Sequence, residues 1–225
     1  MSTLSLLYKK EYKICDIPIR IPTMGEVMDN EDLFYSIVST FTLSPIDLMV
    51  QLDDLGVDFE ELKDYELFLM LFSALKEQDT SMVFGDLDFS KFEMVSNTKN
   101  QSVFFYDEEN DIKIDKRFYL MASDFFRKLL GIKKDRRRPA NKVTKKFMLE
   151  RARVKLERQK NKNIAKESQN ESLIIAMVNT EQFKYNFDEV KDLTIYQFNQ
   201  CVKQIMHKVE YDNRMIGVYT GNIRS

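Results

Sequence analysis

The residues best placed to do chemistry are cations. Arg136, Arg137, Arg138, Lys142, Lys145, Lys146, Arg151 and Arg153 fall close together in one stretch. Lys and Arg at this density can neutralise phosphates or carboxylates, whichever a partner presents. Stacking against bases would want interleaved aromatics, and only Phe147 interrupts the run, so nucleic acid held here would be held without sequence preference.

No other group of residues assembles a reaction centre. His207 is the sole histidine and has no second His or Cys beside it to anchor zinc. Acyl transfer lacks a Gly-x-Ser-x-Gly elbow, and phosphate loops lack clustered glycines, the nearest pair being Gly217 and Gly221. The acidic stretch 107–111 has no EF-hand glycine and carries Phe118 where a bidentate Glu belongs, so it is expected to be a hairpin turn. Asp86 and Asp88 flank Leu87 in a pattern that a half-exposed strand also gives. No catalytic, cofactor-binding or metal residue is assigned, no cofactor is expected, and the chain is not expected to be an enzyme. A hydrolase or transferase with concealed carboxylates is the third choice.

The formal net charge of −2 conceals a strong segregation. Residues 26–111 hold 21 Asp/Glu against 4 Lys/Arg, giving −17, while residues 127–162 hold 16 Lys/Arg against 3 Asp/Glu, giving +13. Such asymmetry reports on association. The basic segment can meet protein, in its own acidic body or in another chain; it can be a solvated helix face; or it can meet nucleic acid.

The elements that position these charges follow from composition and period. With 6 Gly and 4 Pro in 225 residues there are few turns for an all-β fold, and 44% hydrophobic content supplies a core. The fold class expected is mainly α with a small β-hairpin region (α+β): a helical core, a long basic helix and a C-terminal helical segment. Cys15 and Cys201 are far apart, which suits a reducing compartment. The apolar N-terminal run is too short for a signal peptide, and no stretch approaches the roughly 18 apolar residues of a membrane span.

Residues 7–21 read as an edge strand or extended arm around Pro18, and 21–26 as a turn into the first helix. Leu33, Phe34, Ile37, Val38 and Phe41 mark a helix over 31–40. Ser44-Pro45-Ile46-Asp47 reads as the start of a helix ending at Gly56, and a further helix, apolar nearly all round at 65–72, runs to Lys76. Residues 82–114 take a strand-like period with a hairpin at their end. Asp115 caps a helix stopped by Gly131, with Phe118, Met121, Ala122, Phe125, Phe126 and Leu129 on one face. Residues 133–144 make the linker, 144–170 a long helix with only Leu149, Ala152 and Leu156 as its apolar stripe. Residues 172–178 are a short apolar run, and Phe183, Tyr185 and Phe187 an aromatic patch. A capping box at 194–197 opens a last helix that should end before Gly217, lined by Ile195, Phe198, Val202, Ile205, Met206 and Val209. Phe34, Ile37, Leu67, Phe68, Leu71 and Phe125 are expected to be buried. The resulting division is an acidic core at 1–131, a basic linker at 132–144 and a basic helix with the C-terminal segment at 145–225.

Three stretches, Ile21-Pro22-Thr23-Met24-Gly25-Glu26, Ile195-Tyr196-Gln197-Phe198-Asn199 and Gly217-Val218-Tyr219-Thr220-Gly221, carry a resemblance that extends along most of the chain. The chain resembles poorly characterised proteins of the virion and tail-assembly gene modules of tailed bacteriophages from low-GC Gram-positive hosts. The resemblance implies a non-catalytic structural or chaperone-like protein working in the host cytoplasm during assembly, or in the virion. Its partners would be phage structural proteins or further copies of itself, with nucleic acid through 127–162 as the second choice and no membrane. No site residue is transferred; Arg136, Arg137, Arg138, Lys142, Lys145, Lys146, Arg151 and Arg153 remain the candidates for partner binding.

Overall fold

The computed structural model describes residues 3–97, 102–161 and 168–220. A turn of helix, α1 (Thr3–Leu6), leads into strands β1 (Glu11–Ile14) and β2 (Ile17–Arg20), which pair antiparallel with Ile14 opposite Ile17. The single strand or arm expected over 7–21 is therefore a hairpin. Its loop residues, Cys15 and Asp16, take φ of 48° and 67°, the left-handed pair that a two-residue hairpin demands. With neither Gly nor Asn there, the sequence shows no turn signal. Pro18 lies opposite Lys13 and is tolerated because the ribbon has only two strands.

Helix α2 (Met24–Asp29) starts on a capping box between Thr23 and Glu26, and α3 (Glu31–Thr42) follows with Phe34, Ile37, Val38 and Phe41 buried. The helix expected from Ser44 begins later, as α4 (Met49–Asp54). The Ser44 N–H and hydroxyl both donate to Asp47 Oδ2, at 2.8 and 2.5 Å, closing a turn in place of a cap. The helix expected to reach Lys76 is two pieces, α5 (Asp64–Leu71) and α6 (Ser73–Lys76), broken at Phe72, whose ring stacks on Phe105 with centroids 3.5 Å apart. Leu67 and Phe68 of α5 enter different apolar clusters, whereas Leu71 is only half-buried and Met70 is 47% exposed. The helix thus lies between two cores and is not surrounded by one.

The strand period expected from residue 82 belongs instead to α7 (Ser81–Phe84) and a 3-10 turn (Phe89–Lys91) capped by Asp88. Gly85 separates them, and their aromatics point inward from turns. Strands β3 (Glu93–Asn97), β4 (Ser102–Asp107) and β5 (Ile112–Ile114) form an antiparallel meander, so the expected hairpin acquires a third strand. Asp115 accepts from the Arg117 and Phe118 N–H groups to open α8 (Lys116–Leu130), and Gly131 ends it with φ 68°. Of its expected face only Met121 is exposed; its sulfur accepts from the Cys15 thiol at 3.9 Å.

The chain continues through α9 (Lys142–Asn161), α10 (Gln169–Val178), α11 (Phe187–Val190) and α12 (Ile195–Tyr219). The part of the expected long helix at 162–167, and Gly221, lie outside the described residues. Helix α12 passes through Gly217 instead of stopping before it, a cost of about 1 kcal/mol that its other residues absorb. The molecule is mainly helical, with two small antiparallel sheets.

One apolar cluster joins both ends of the chain. Phe41 sits among Phe68, Phe84, Phe118 and Phe126, and the same cluster takes in Ile19, Met24, Phe183, Ile195 and Phe198. The N-termini of α2 and α12 also satisfy each other. The Met24 and Gly25 N–H groups donate to the Leu193 and Lys191 carbonyls, at 2.7 and 3.0 Å, and the Ile195 N–H donates to Pro22 O at 2.9 Å. These are donors that a helix start leaves without an internal partner. A Cβ at Gly25 would stand 3.3 Å from Lys191 O, so a larger residue would have to push that carbonyl back by a few tenths of an ångström.

Candidate interaction site

Helix α9 has little to bury. Met148 and Leu149 rest on a second cluster built from Ile46, Leu52, Phe59 and Leu67, Ala152 and Leu156 are half-buried, and ion pairs add to its contact with the body. Arg153 reaches Asp53 at 2.6 Å and Asp54 at 2.7 Å beside the end of α4. Lys145 lies between Asp58 and Glu60, 3.0 Å from the latter, with its ammonium 5.0 Å above the Phe59 ring. Lys134, ahead of the helix, pairs with Asp64. A line of cations from 134–153 therefore faces a line of carboxylates from 53–64, and part of the segregated charge is closed within the chain.

The electrostatics of this seam favour the ionised forms. The hydrogen bond from Lys145 holds the Asp58 carboxyl below its usual range. Burial alone would lower the Lys145 pKa, but hydrogen bonds to Asp58 and Glu60 outweigh it and raise the value. Asp54, then Asp53, hold Arg153 more firmly protonated. Asp135 is lowered by its own neighbour, Arg137, which it binds at 2.6 Å.

The eight cations singled out from the sequence thus fall into two groups. Arg137, Lys145 and Arg153 are engaged with carboxylates of this chain. Arg136, Arg138, Lys142 and Lys146 have no carboxylate partner among the described residues, and the Arg151 guanidinium stands 5.5 Å from the Phe147 ring. A groove of about 850 Å³ separates α4 from the outer side of α9, with Met49, Val50, Phe147, Arg151, Lys155 and Arg158 on its walls.

The remaining candidates occupy ordinary structural places. Asp107 is buried and accepts from the Glu109 and Asn110 N–H groups, closing the β4–β5 turn, and Asp111 accepts from the Tyr106 hydroxyl at 2.7 Å. Asp88 caps the 3-10 turn, Asp86 is exposed, and His207 is exposed on α12. Among the described residues no group of three or more His, Cys, Asp or Glu could hold a metal ion, and no helix is long and apolar enough to cross a membrane.

Sequence reasoning missed the far half of α12. Its apolar residues Val202, Ile205, Val209, Ile216 and Tyr219 keep the seven-residue spacing that begins at Ile195 and Phe198, with Asp212 in the remaining position. Ile195 and Phe198 are buried and Val202 and Ile205 partly so, but Val209 is 42%, Ile216 60% and Tyr219 81% exposed. At 25 residues the helix is about 37 Å long, more than its own core can cover. The heptad signal is present in the sequence, but a stop at Gly217 and an inward-facing stripe conceal it.

Residues 163–225 match the family model of the YomV second domain, a region whose described part contains α10, α11 and α12. No curated protein and no solved structure matches the chain.

Proposed function

We propose that this chain is a non-catalytic phage protein that assembles by protein contacts, as a structural or chaperone-like component of a tail or virion. The observation that supports it best is the seven-residue apolar seam of α12, which leaves the core at Val202 and continues through exposed Val209, Ile216 and Tyr219. Such a stripe fits a helical partner whose knobs fill the spaces between its residues. The phage association rests on the resemblance of the three quoted stretches and is consistent with the YomV second-domain match over 163–225. The partners are further copies of this chain or phage structural proteins, met chiefly through α12 and secondarily through the unpaired cations on α9.

Light scattering on the purified chain, alone and with virion proteins of the producing phage, tests this. The native protein should form an oligomer or a defined complex, and Val209→Glu with Ile216→Glu should abolish it while leaving the circular dichroism melt intact. A native chain that stays monomeric and retains no virion protein would sink the proposal.

A further inference from the structure

A second groove, of about 1130 Å³, runs between the C-terminal end of α8, the segment 131–136 and the first turns of α12. Seven Lys/Arg line it against one carboxylate, Asp124. Lys134 is engaged with Asp64, and Arg127 is held by the Ser123 hydroxyl and the Thr42 carbonyl. Lys128, Lys133, Arg136 and Lys203 are exposed and meet no carboxylate among the described residues. Charge of one sign concentrated in a concave surface attracts a polyanion.

The other walls say which polyanion. Tyr8 is 83% and Tyr185 39% exposed, the Tyr185 ring tilted against Phe183 with centroids 5.4 Å apart, and Gln200 and Gln204 stand one helical turn apart on α12 in the same lining. Flat rings open to solvent beside free cations are the two parts of a single-strand site: cations follow the phosphates and rings stack on bases. A duplex keeps its base faces stacked on each other and cannot offer them to rings. An acidic peptide would meet the same cations but brings no flat bases for the two rings to stack on.

We propose that this groove binds single-stranded nucleic acid, with phosphates on Lys128, Lys133, Arg136 and Lys203 and bases stacked on Tyr8 and Tyr185. The site takes Lys128, Lys133 and Arg136 from the basic segment 127–162 that the sequence offers to nucleic acid, but not its helix: α9 contributes no lining residue. Its rings come from residues far along the chain from its cations, which is why no interleaved aromatic marks it in the sequence. It meets the α12 seam at Ile205 but uses none of the exposed seam residues Val209, Ile216 and Tyr219.

Fluorescence anisotropy with labelled oligothymidylate at increasing salt tests the proposal on the full chain. The native protein should bind at low salt and weaken steeply as salt rises. Lys128→Gln, Lys133→Gln and Lys203→Gln together should flatten the logarithmic salt slope by about 2, since each single-strand phosphate contact contributes about 0.7. Tyr8→Ala and Tyr185→Ala should each weaken binding roughly five- to hundred-fold at fixed salt without changing that slope. Lys142→Gln with Lys146→Gln, on α9, should leave both unchanged. All the substituted side chains are exposed, and an unaltered melt of each variant confirms that it has folded. Absence of binding at low salt, loss caused by the α9 pair and not by the groove variants, or tighter binding of duplex DNA or oligoglutamate would overturn it.

Discussion

Thr23 and Thr194 face each other in an antiparallel bridge, and each is at the same time the N-cap of a helix. Thr23 exchanges hydrogen bonds with Glu26 and Thr194 with Gln197, so two capping boxes stand side by side. Gln197 Nε2 reaches further, donating to Leu7 O at 2.8 Å, and fastens the N-terminal segment to the same junction. Thr194→Ala should cost about 1 kcal/mol of stability, the usual worth of such a cap. Gly25→Val should cost more, about 1–3 kcal/mol, because its side chain meets the Lys191 carbonyl. Urea unfolding measures both; a Gly25→Val midpoint equal to that of the native protein would show that the junction is loose.

The seam between α9 and the body should open in acid. Asp58, held by Lys145 of α9, titrates below its usual 3.8 in the folded chain. Its contribution is therefore fully present above that value and is lost as pH falls through the lowered one. Hydrogen exchange over residues 142–159 should accelerate below about pH 4 before exchange rises in α3 and α8. High salt at neutral pH should act in the same direction but more weakly. Simultaneous exchange of α9 and α3 at every pH would mean that the seam has no separate stability.

Two tyrosines should titrate last. Burial, reinforced by Asp115, pushes Tyr65 up to about 12, and burial with Asp64 does the same for Tyr119. The Tyr65 hydroxyl donates to Val103 O at 2.7 Å, so its ionisation breaks a link between α5 and β4. The stability these groups contribute is complete below the ordinary value of 10 and is lost as pH rises through about 12. An ultraviolet tyrosinate titration should show Tyr65 and Tyr119 ionising only with unfolding, and Tyr35, Tyr106 and Tyr196 also held above the ordinary value. Ten equivalent groups would contradict the packing around α5.

The segment 132–140 contains no regular element, and Lys133, Arg136 and Arg138 are exposed within it. Limited trypsin digestion should cut there first, ahead of any site in α3 or α8. Arg153→Gln should hasten that cut, because it releases the far end of the helix that holds the segment down. Cleavage beginning inside α8 would contradict this order.

Periodicity carried the buried faces well where one face meets one core. Phe34, Ile37 and Phe125 are legible from spacing alone, and so are the caps at Asp115 and Thr194, because side-chain capping is a local event. What the sequence concealed was decided by distant partners. Cys15 and Asp16 adopt left-handed backbone because Ile14 and Ile17 are both drawn into the core. Leu71 loses full burial because α5 lies between two clusters. The basic stretch was legible as charge, but its division into paired and free cations depends on where 53–64 folds, which no local pattern states. The α8–α12 groove was invisible for the same reason: its rings and its cations become neighbours only after folding.

The meeting of residues 21–25 with 191–195 also governs when the protein can become itself during synthesis. Ile14, Ile17, Ile19 and Met24 leave the ribosome long before Ile195 and Phe198, which close the cluster around them. A contact between segments so far apart in sequence forms slowly, and the waiting apolar surface is available to any neighbour that arrives first. Until those residues arrive, the nascent body keeps that apolar surface uncovered.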